Sequence, residues 1–434
     1  MDNKRDLPGF AEEIKDLEFN GFLDWFVAFN DVTMMWKAQP TYIMVQVLCL
    51  VGGFITLLHA LKSGRRYVHL WVGIILHGIV VEAISYNLPD IDNFWHSQTP
   101  IILIGRRLPL HIILVYVVFI YNASIAVKQL RLPAWSEPFA VGLITVLIDI
   151  PYDIVSVRFL HWSWHATDPN IYDRHYFVPW NSYYFHAAFA ASFTFFFHGT
   201  RRLFTESKEQ WTASKSCFKE TVCTVLPALL GMPGGVLLFL PLYHPLHDHY
   251  GIHSEVTFFF LFTVFLVLAW SGDRCSLKKN SIVSKRTIDY IIPVYLLVYY
   301  SLFLGLTIIG DPSKEVSIGF HERIGPCDEI VGITSALGQT LYKNKYLCTE
   351  NNREDYIGWD CLPGGKPPRH GSHWYTACGT PLKNRTEYIT VLATIFIAAF
   401  AVFTNCFLCG NNNGKAVDAK KTGQVISSKK VKKN

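Results

Sequence analysis

The stretch Leu147-Ile148-Asp149-Ile150-Pro151-Tyr152-Asp153-Ile154-Val155-Ser156-Val157-Arg158 sets two acids and a proline inside an otherwise apolar run. A helix needs about 20 apolar residues to cross the hydrocarbon of a bilayer, and this run supplies them when read from Pro138 to Leu160. Asp149 and Asp153 are four residues apart and so share one helical face, while Pro151 removes a backbone donor and disfavours helix at Ile150. A broken membrane helix carrying paired carboxylates is a common way to frame a site within a bilayer. The competing reading is interhelical glue, with Asp153 paired to Arg158, Arg106 or Arg107.

Outward from that run, the same window finds eight more spans, at Tyr42–Leu61, Tyr67–Tyr86, Leu108–Val127, Phe177–His198, Thr221–Tyr243, Ser254–Ser271, Tyr290–Ile309 and Tyr388–Leu408. The expected fold is therefore an all-α polytopic bundle of about nine transmembrane helices. Its parts are an exoplasmic N-terminal segment (1–41), an eight-helix membrane core (42–309), an exoplasmic Cys-containing loop (310–387), a ninth helix (388–408) and a basic cytosolic tail (409–434). Composition agrees, since only 17% of the 434 residues are charged, 50% are hydrophobic and mean hydropathy is +0.23. A net charge of +5 is small for this length and argues against nucleic-acid binding. The partners expected are membrane lipid and a lipophilic small molecule.

Charge sets the orientation. One set of alternate connections, tail included, carries 22 Lys and Arg against 7 in the other, with the long 310–387 loop left out. The basic set is cytosolic by this rule, which puts the N-terminus on the exoplasmic side. Cys327, Cys348, Cys361 and Cys378 all fall in the exoplasmic loop, where two disulfides are expected with three pairings open. Asn384-Arg385-Thr386 is a glycosylation sequon on the same side, close to the last span. The ending Lys430-Val431-Lys432-Lys433-Asn434 looks like the Lys-x-Lys-x-x signal for return to the endoplasmic reticulum. A solvated basic anchor is the alternative, so the endoplasmic reticulum, the wider secretory pathway and the plasma membrane all stay open.

An ionisable side chain near the bilayer centre costs about 2.5–3.5 kcal/mol, so Glu82, Asp149 and Asp153 need partners or a function. His165 and Asn181 lie in sequence toward the same leaflet, and these five residues form the expected catalytic set. A second group, His244, His247, His249 and His253, sits with Asp248 and Glu255 in one short connection. That composition is compatible with a metal site, and equally with a solvated loop that titrates near neutral pH. No phosphate loop, dinucleotide fingerprint or nucleophile elbow occurs.

Glu82, Pro109-Leu110-His111 with Tyr116, Asp149-Ile150-Pro151-Tyr152-Asp153, Trp162-Ser163-Trp164 and Val178-Pro179-Trp180-Asn181 together resemble landmarks of carotenoid-hydratase-type membrane proteins, over about Val68–Phe189. The resemblance implies an all-helical membrane enzyme that hydrates a carbon–carbon double bond of a long isoprenoid, with Glu82, Asp149 and Asp153 as its acids. The four-Cys loop, the His-rich connection and the ninth span depart from that pattern and suit an uncharacterised animal multi-pass membrane family. A cation- or proton-coupled transporter using the same acids, or a non-catalytic receptor or assembly factor binding through 310–387, are the alternative functions.

Overall fold

The runs chosen for apolar length all become helices, because a backbone surrounded by lipid or apolar side chains must satisfy its polar groups internally. The computed structural model describes residues 6–88, 91–205, 210–275, 287–350 and 355–408. The basic tail, with its Lys430–Asn434 ending, lies outside the described residues. The long helices are α1 (Pro40–Ser63), α2 (Arg65–Asn87), α3 (Leu110–Leu130), α4 (Glu137–Arg158), α5 (Trp180–Phe204), α6 (Cys217–His244), α7 (Ser254–Cys275), α8 (Ile291–Ile309) and α9 (Arg385–Phe407). Among the described residues, eight helices are long and apolar enough to cross a membrane, one fewer than the nine expected. The exception is α5, whose Tyr183, Tyr184, His186 and His198 lower its apolarity although it has 25 residues.

The expectation that α4 would break at Pro151 is not met, since one helix runs from Glu137 to Arg158 with the proline inside it. Proline at 151 leaves the carbonyl of Leu147 without its usual N–H partner. Two tyrosines of α8 make good the loss, Tyr300 donating to the Leu147 carbonyl and Tyr299 to that of Ile148, both at 2.8 Å. The neighbouring α3 is irregular in a different way, with a π-helical turn at Val117–Tyr121. Gly231, Gly234 and Gly235 on α6 form a close-packing point. A Cβ at Gly231 would come within 2.7 Å of the His77 ring, and one at Gly234 or Gly235 would run into Ser192 or Phe189.

The structure is not all-α. The 310–384 segment folds as a cap containing strands β1 (Val316–Phe320), β2 (Ile330–Thr334), β3 (Thr340–Asn344), β4 (Ile357–Gly358) and β5 (Trp374–Gly379). β1 and β4 flank β5 in an antiparallel sheet, and β2 pairs with β3 as a hairpin. β1 and β5 are buried along their whole length, so they lack the alternation that marks a half-buried strand. Disulfides join Cys327 to Cys348 and Cys361 to Cys378, one of the three pairings left open by the sequence.

The N-terminal segment belongs to this cap rather than standing apart. Ile14 pairs with Trp374, and Leu7 packs with Trp95, Val316, Ile318, Phe320 and Trp374. The connections 91–107 and 159–179 join it, through Gln98 N–H to the Ile318 carbonyl and Ser97 N–H to the His161 carbonyl, each at 2.9 Å. Asp173 links the His-rich connection to the same end by accepting from the Ser254 N–H at 2.6 Å. At the far end Arg66 meets Glu220, His59 meets Asp289 and His198 meets Glu137. Alternate connections thus gather at opposite ends of the bundle, and α5 runs from one end to the other like its neighbours.

Candidate functional site

Two helical stripes face one another near the middle of the bundle. On α4, Thr145, Asp149 and Asp153 recur every four residues, and on α5 Ser182 and His186 do the same, so each set lies along one face. Ser182 Oγ donates to Asp153 at 2.9 Å, and His186 Nε2 lies 3.4 Å from Asp149. Asp149, Asp153 and His186 each present a ligand atom, all three within 4.8 Å of one another. The side chain of Asp149 is wholly buried, and among the described residues its oxygens meet only the Asp153 carboxyl and the His186 ring.

Beside these stripes lies a cavity of about 220 Å³ walled mainly by apolar side chains of α2, α3, α4, α5 and α6. Asp153, Asn181, Ser182 and His186 open onto it from one side, and Glu82, His77 and Tyr116 from the other. Tyr116 donates to Glu82 at 2.8 Å, and Tyr86 is a second tyrosine beside the same carboxyl. Phe119 and Ile120, from the π turn of α3, form part of the wall, a placement in keeping with the frequent use of π turns at functional sites. The cap end is roofed by Phe94, Trp162 and Trp164, which pack edge to face or tilted with ring centroids 4.8–6.0 Å apart. Strand pairing of Phe94–His96 with Trp162–Trp164 fixes that roof.

Of the five residues expected from sequence to form a catalytic set, Glu82, Asp153 and Asn181 line the cavity and Asp149 stands beside Asp153. Asn181 also donates to the Asn170 carbonyl at 2.6 Å, which ties the start of α5 to the cap-end connection. His165 lies elsewhere: its ring stacks on Trp95, whose indole N–H donates to it, and burial holds it well below the ordinary imidazole range. The side chains His186, Ser182, Thr145 and Tyr116 were not among the five. The four-residue spacing of Ser182 and His186 was the signal available for the first two.

The His-rich connection is arranged around acids instead of an open centre. His244 and His247 donate to Asp248 at 2.7 and 2.8 Å, and His253 lies 3.3 Å from Asp173. His249 packs edge-on against Tyr250. Among the described residues, the one His, Cys, Asp and Glu group with metal-ligand spacing is Asp149, Asp153 and His186. Asn384 serves as N-cap of α9, accepting from the Glu387 N–H at 3.3 Å.

No curated protein and no solved structure matches the chain, so the likeness to hydratase-type proteins rests on the quoted residues alone. A family described as a domain of unknown function (DUF7802) matches residues 13–408, which takes in all nine long helices, the cap from residue 13 onward and the cavity. Its span leaves out only a few residues at the start and the tail, and the chain belongs to the DUF7802 family.

Proposed function

We propose that the protein is a membrane enzyme that acts on a lipid or isoprenoid whose reacting end enters the cavity between α2, α4 and α5. The observation that carries this reading is that Glu82 and Asp153, both buried, open from different helices onto one apolar space. Apolar walls suit a hydrocarbon chain better than a hydrated ion, and this favours an enzyme over a cation path. In the reaction the resemblance implies, a protonated carboxyl gives its proton to one alkene carbon. Water adds through oxygen to the cation formed at the other and loses a proton to a second basic group, from which that proton must return to the donor carboxylate to complete the cycle. Asp153, held by Ser182, is our choice of donor, with Glu82 or His186 receiving the proton from water.

The charge imbalance between connections supports all nine long helices crossing the bilayer, α5 included, with the cap and N-terminus exoplasmic and the tail cytosolic. A cap closed by two disulfides suits the secretory pathway, and Asn384 would be a glycosylation site on that side.

The test is mass spectrometry of lipid extracts from cells producing the wild-type chain or Asp153→Asn at equal levels. The expected result is a lipophilic species heavier by one water that appears with the wild type and is missing with the variant. Identical extracts from the two would overturn the enzyme reading.

A further inference from the structure

We infer that Asp149, Asp153 and His186 form a binding site for one borderline divalent cation such as Zn²⁺, Mn²⁺ or Fe²⁺. The inference does not rest on the enzyme reading, but it reassigns two of its groups: a cation held there keeps Asp153 as a carboxylate and His186 as a ligand, which leaves Glu82 as the carboxyl able to donate a proton.

Three features carry it. The first is spacing: bonds of about 2.1 Å in a tetrahedral site put ligand atoms about 3.4 Å apart. His186 Nε2 and Asp149 Oδ1 already stand 3.4 Å apart, and the full set lies within 4.8 Å, so side-chain adjustments alone would close it. The second is the unmet demand of Asp149, a carboxyl sealed from water whose oxygens are approached, among the described residues, only by the neighbouring Asp153 carboxyl and the His186 ring. Two buried carboxylates side by side are costly, and facing a neutral imidazole they are balanced in charge by a single dication. The third is support from the surroundings. Ser182 holds the second Asp153 oxygen, as the outer partners of metal-bound carboxylates do, while Thr145 Oγ1 lies one turn along the stripe, buried and without a partner.

The ligand chemistry narrows the ion. Two carboxylates and an imidazole, with no thiolate, suit zinc, manganese or iron, whereas calcium takes six to eight oxygens. Three protein ligands leave a coordination position open, and since His186 and Asp153 both line the cavity, that position faces it.

The experiment is metal analysis of the full-length chain, purified in detergent without chelator, by inductively coupled plasma mass spectrometry. It is repeated after loading with Co²⁺, whose visible absorption reports an N/O ligand set. We expect about one metal ion per chain in the wild type, and at least about a tenfold lower content in Asp149→Asn and His186→Gln that elute as folded protein. Ser182→Ala, which removes no ligand, should weaken Co²⁺ binding by about 10–100-fold and serves if the other variants fail to fold. A metal-free wild type that also fails to take up Co²⁺ overturns the site. Equal metal in wild type, Asp149→Asn and His186→Gln overturns it too, and would move attention to His244 and His247. Failure of the lipid assay with metal-loaded protein would remove the enzyme reading and leave this site standing.

Discussion

Two buried clusters of ionisable residues sit at different depths in the same bundle and are built on opposite principles. At the end away from the cap, Arg66 donates to Glu220 and to the Phe197 carbonyl at 2.7 Å each, and to the Gln210 carbonyl at 3.3 Å. Its guanidinium lies 3.5 Å over the Phe197 ring, and Glu220 also accepts from the Ser214 N–H at 2.8 Å. Within this Arg66–Glu220 pair donor and acceptor capacity is nearly spent, as in a structural ion pair. In mid-bundle, among the described residues, Glu82 meets only the tyrosines Tyr116 and Tyr86, Asp149 only Asp153 and His186, and one buried His77 nitrogen has no hydrogen bond, with Glu82 and His77 next to free space. An intramembrane charge is informative chiefly through what it still lacks. By that measure the first cluster reads as glue, and the second is the one we propose as a site.

The comparison can be broken most sharply by function. Asp153→Asn should lower formation of the lipid product by about 10²–10⁴-fold, the range for loss of a general acid, while the protein still elutes as a folded species. A variant that instead aggregates would make Asp153 glue as well. Arg66→Met tests the other side. It leaves Glu220 buried without its main partner and should cost about 3–5 kcal/mol, read as a lower thermal midpoint, whereas Asp149→Asn in metal-stripped protein should hold or raise that midpoint. Equal losses from the two substitutions would erase the distinction.

Glu322, in the cap, offers an intermediate case. It accepts from the Ala166 N–H at 2.7 Å and from the Thr167 hydroxyl, no cation among the described residues forms an ion pair with it, Lys343 acting only at longer range, and burial pushes its carboxyl up to about 7. A folded-state value above the unfolded one means that its contribution is fully present below about pH 4.5 and is lost as pH rises through 7. The loss is on the order of 3 kcal/mol and should disappear in Glu322→Gln. Hydrogen exchange of β1 at pH 5 and pH 8 measures it, and exchange protection that is independent of pH in the wild type would contradict the assignment. The smallest effect is expected of Tyr116→Phe. It frees one oxygen of Glu82 and should cost about 1 kcal/mol of stability while altering lipid turnover, a pairing of readouts that a merely structural hydrogen bond would not give.

Much of the architecture could be read from hydropathy, because a helix that crosses a bilayer needs an apolar run longer than nearly anything in a soluble domain. Tyr42–Leu61 became Pro40–Ser63 and Tyr290–Ile309 became Ile291–Ile309. What escaped depends on contacts distant in sequence. The continuity of α4 through Pro151 needed Tyr299 and Tyr300, which lie about 150 residues further on. The cap strands escaped because β1 and β5 are short and buried on both faces. Within the site, the acids announced themselves as charges in apolar runs, and their four-residue spacing placed Asp149 and Asp153 together. His186 was visible as an intramembrane histidine, but only packing of α5 against α4 brings it to the pair. His165 shows the converse, since closeness in sequence to Trp162 and Trp164 did not put it in the cavity.

The tyrosine repair of α4 also bears on how the chain is made. Between insertion of α4 and arrival of α8 the ribosome must add some 151 residues, which at about 5–20 residues per second takes roughly 8–30 s. Through that interval the Leu147 carbonyl faces lipid or passing chain with no water to satisfy it. The segment bearing both aspartates is therefore left unfinished during translation and is completed only by a late-made neighbour. A nascent chain stalled before Tyr299 should hold its acids in a looser helix, open to membrane quality control until the eighth helix enters.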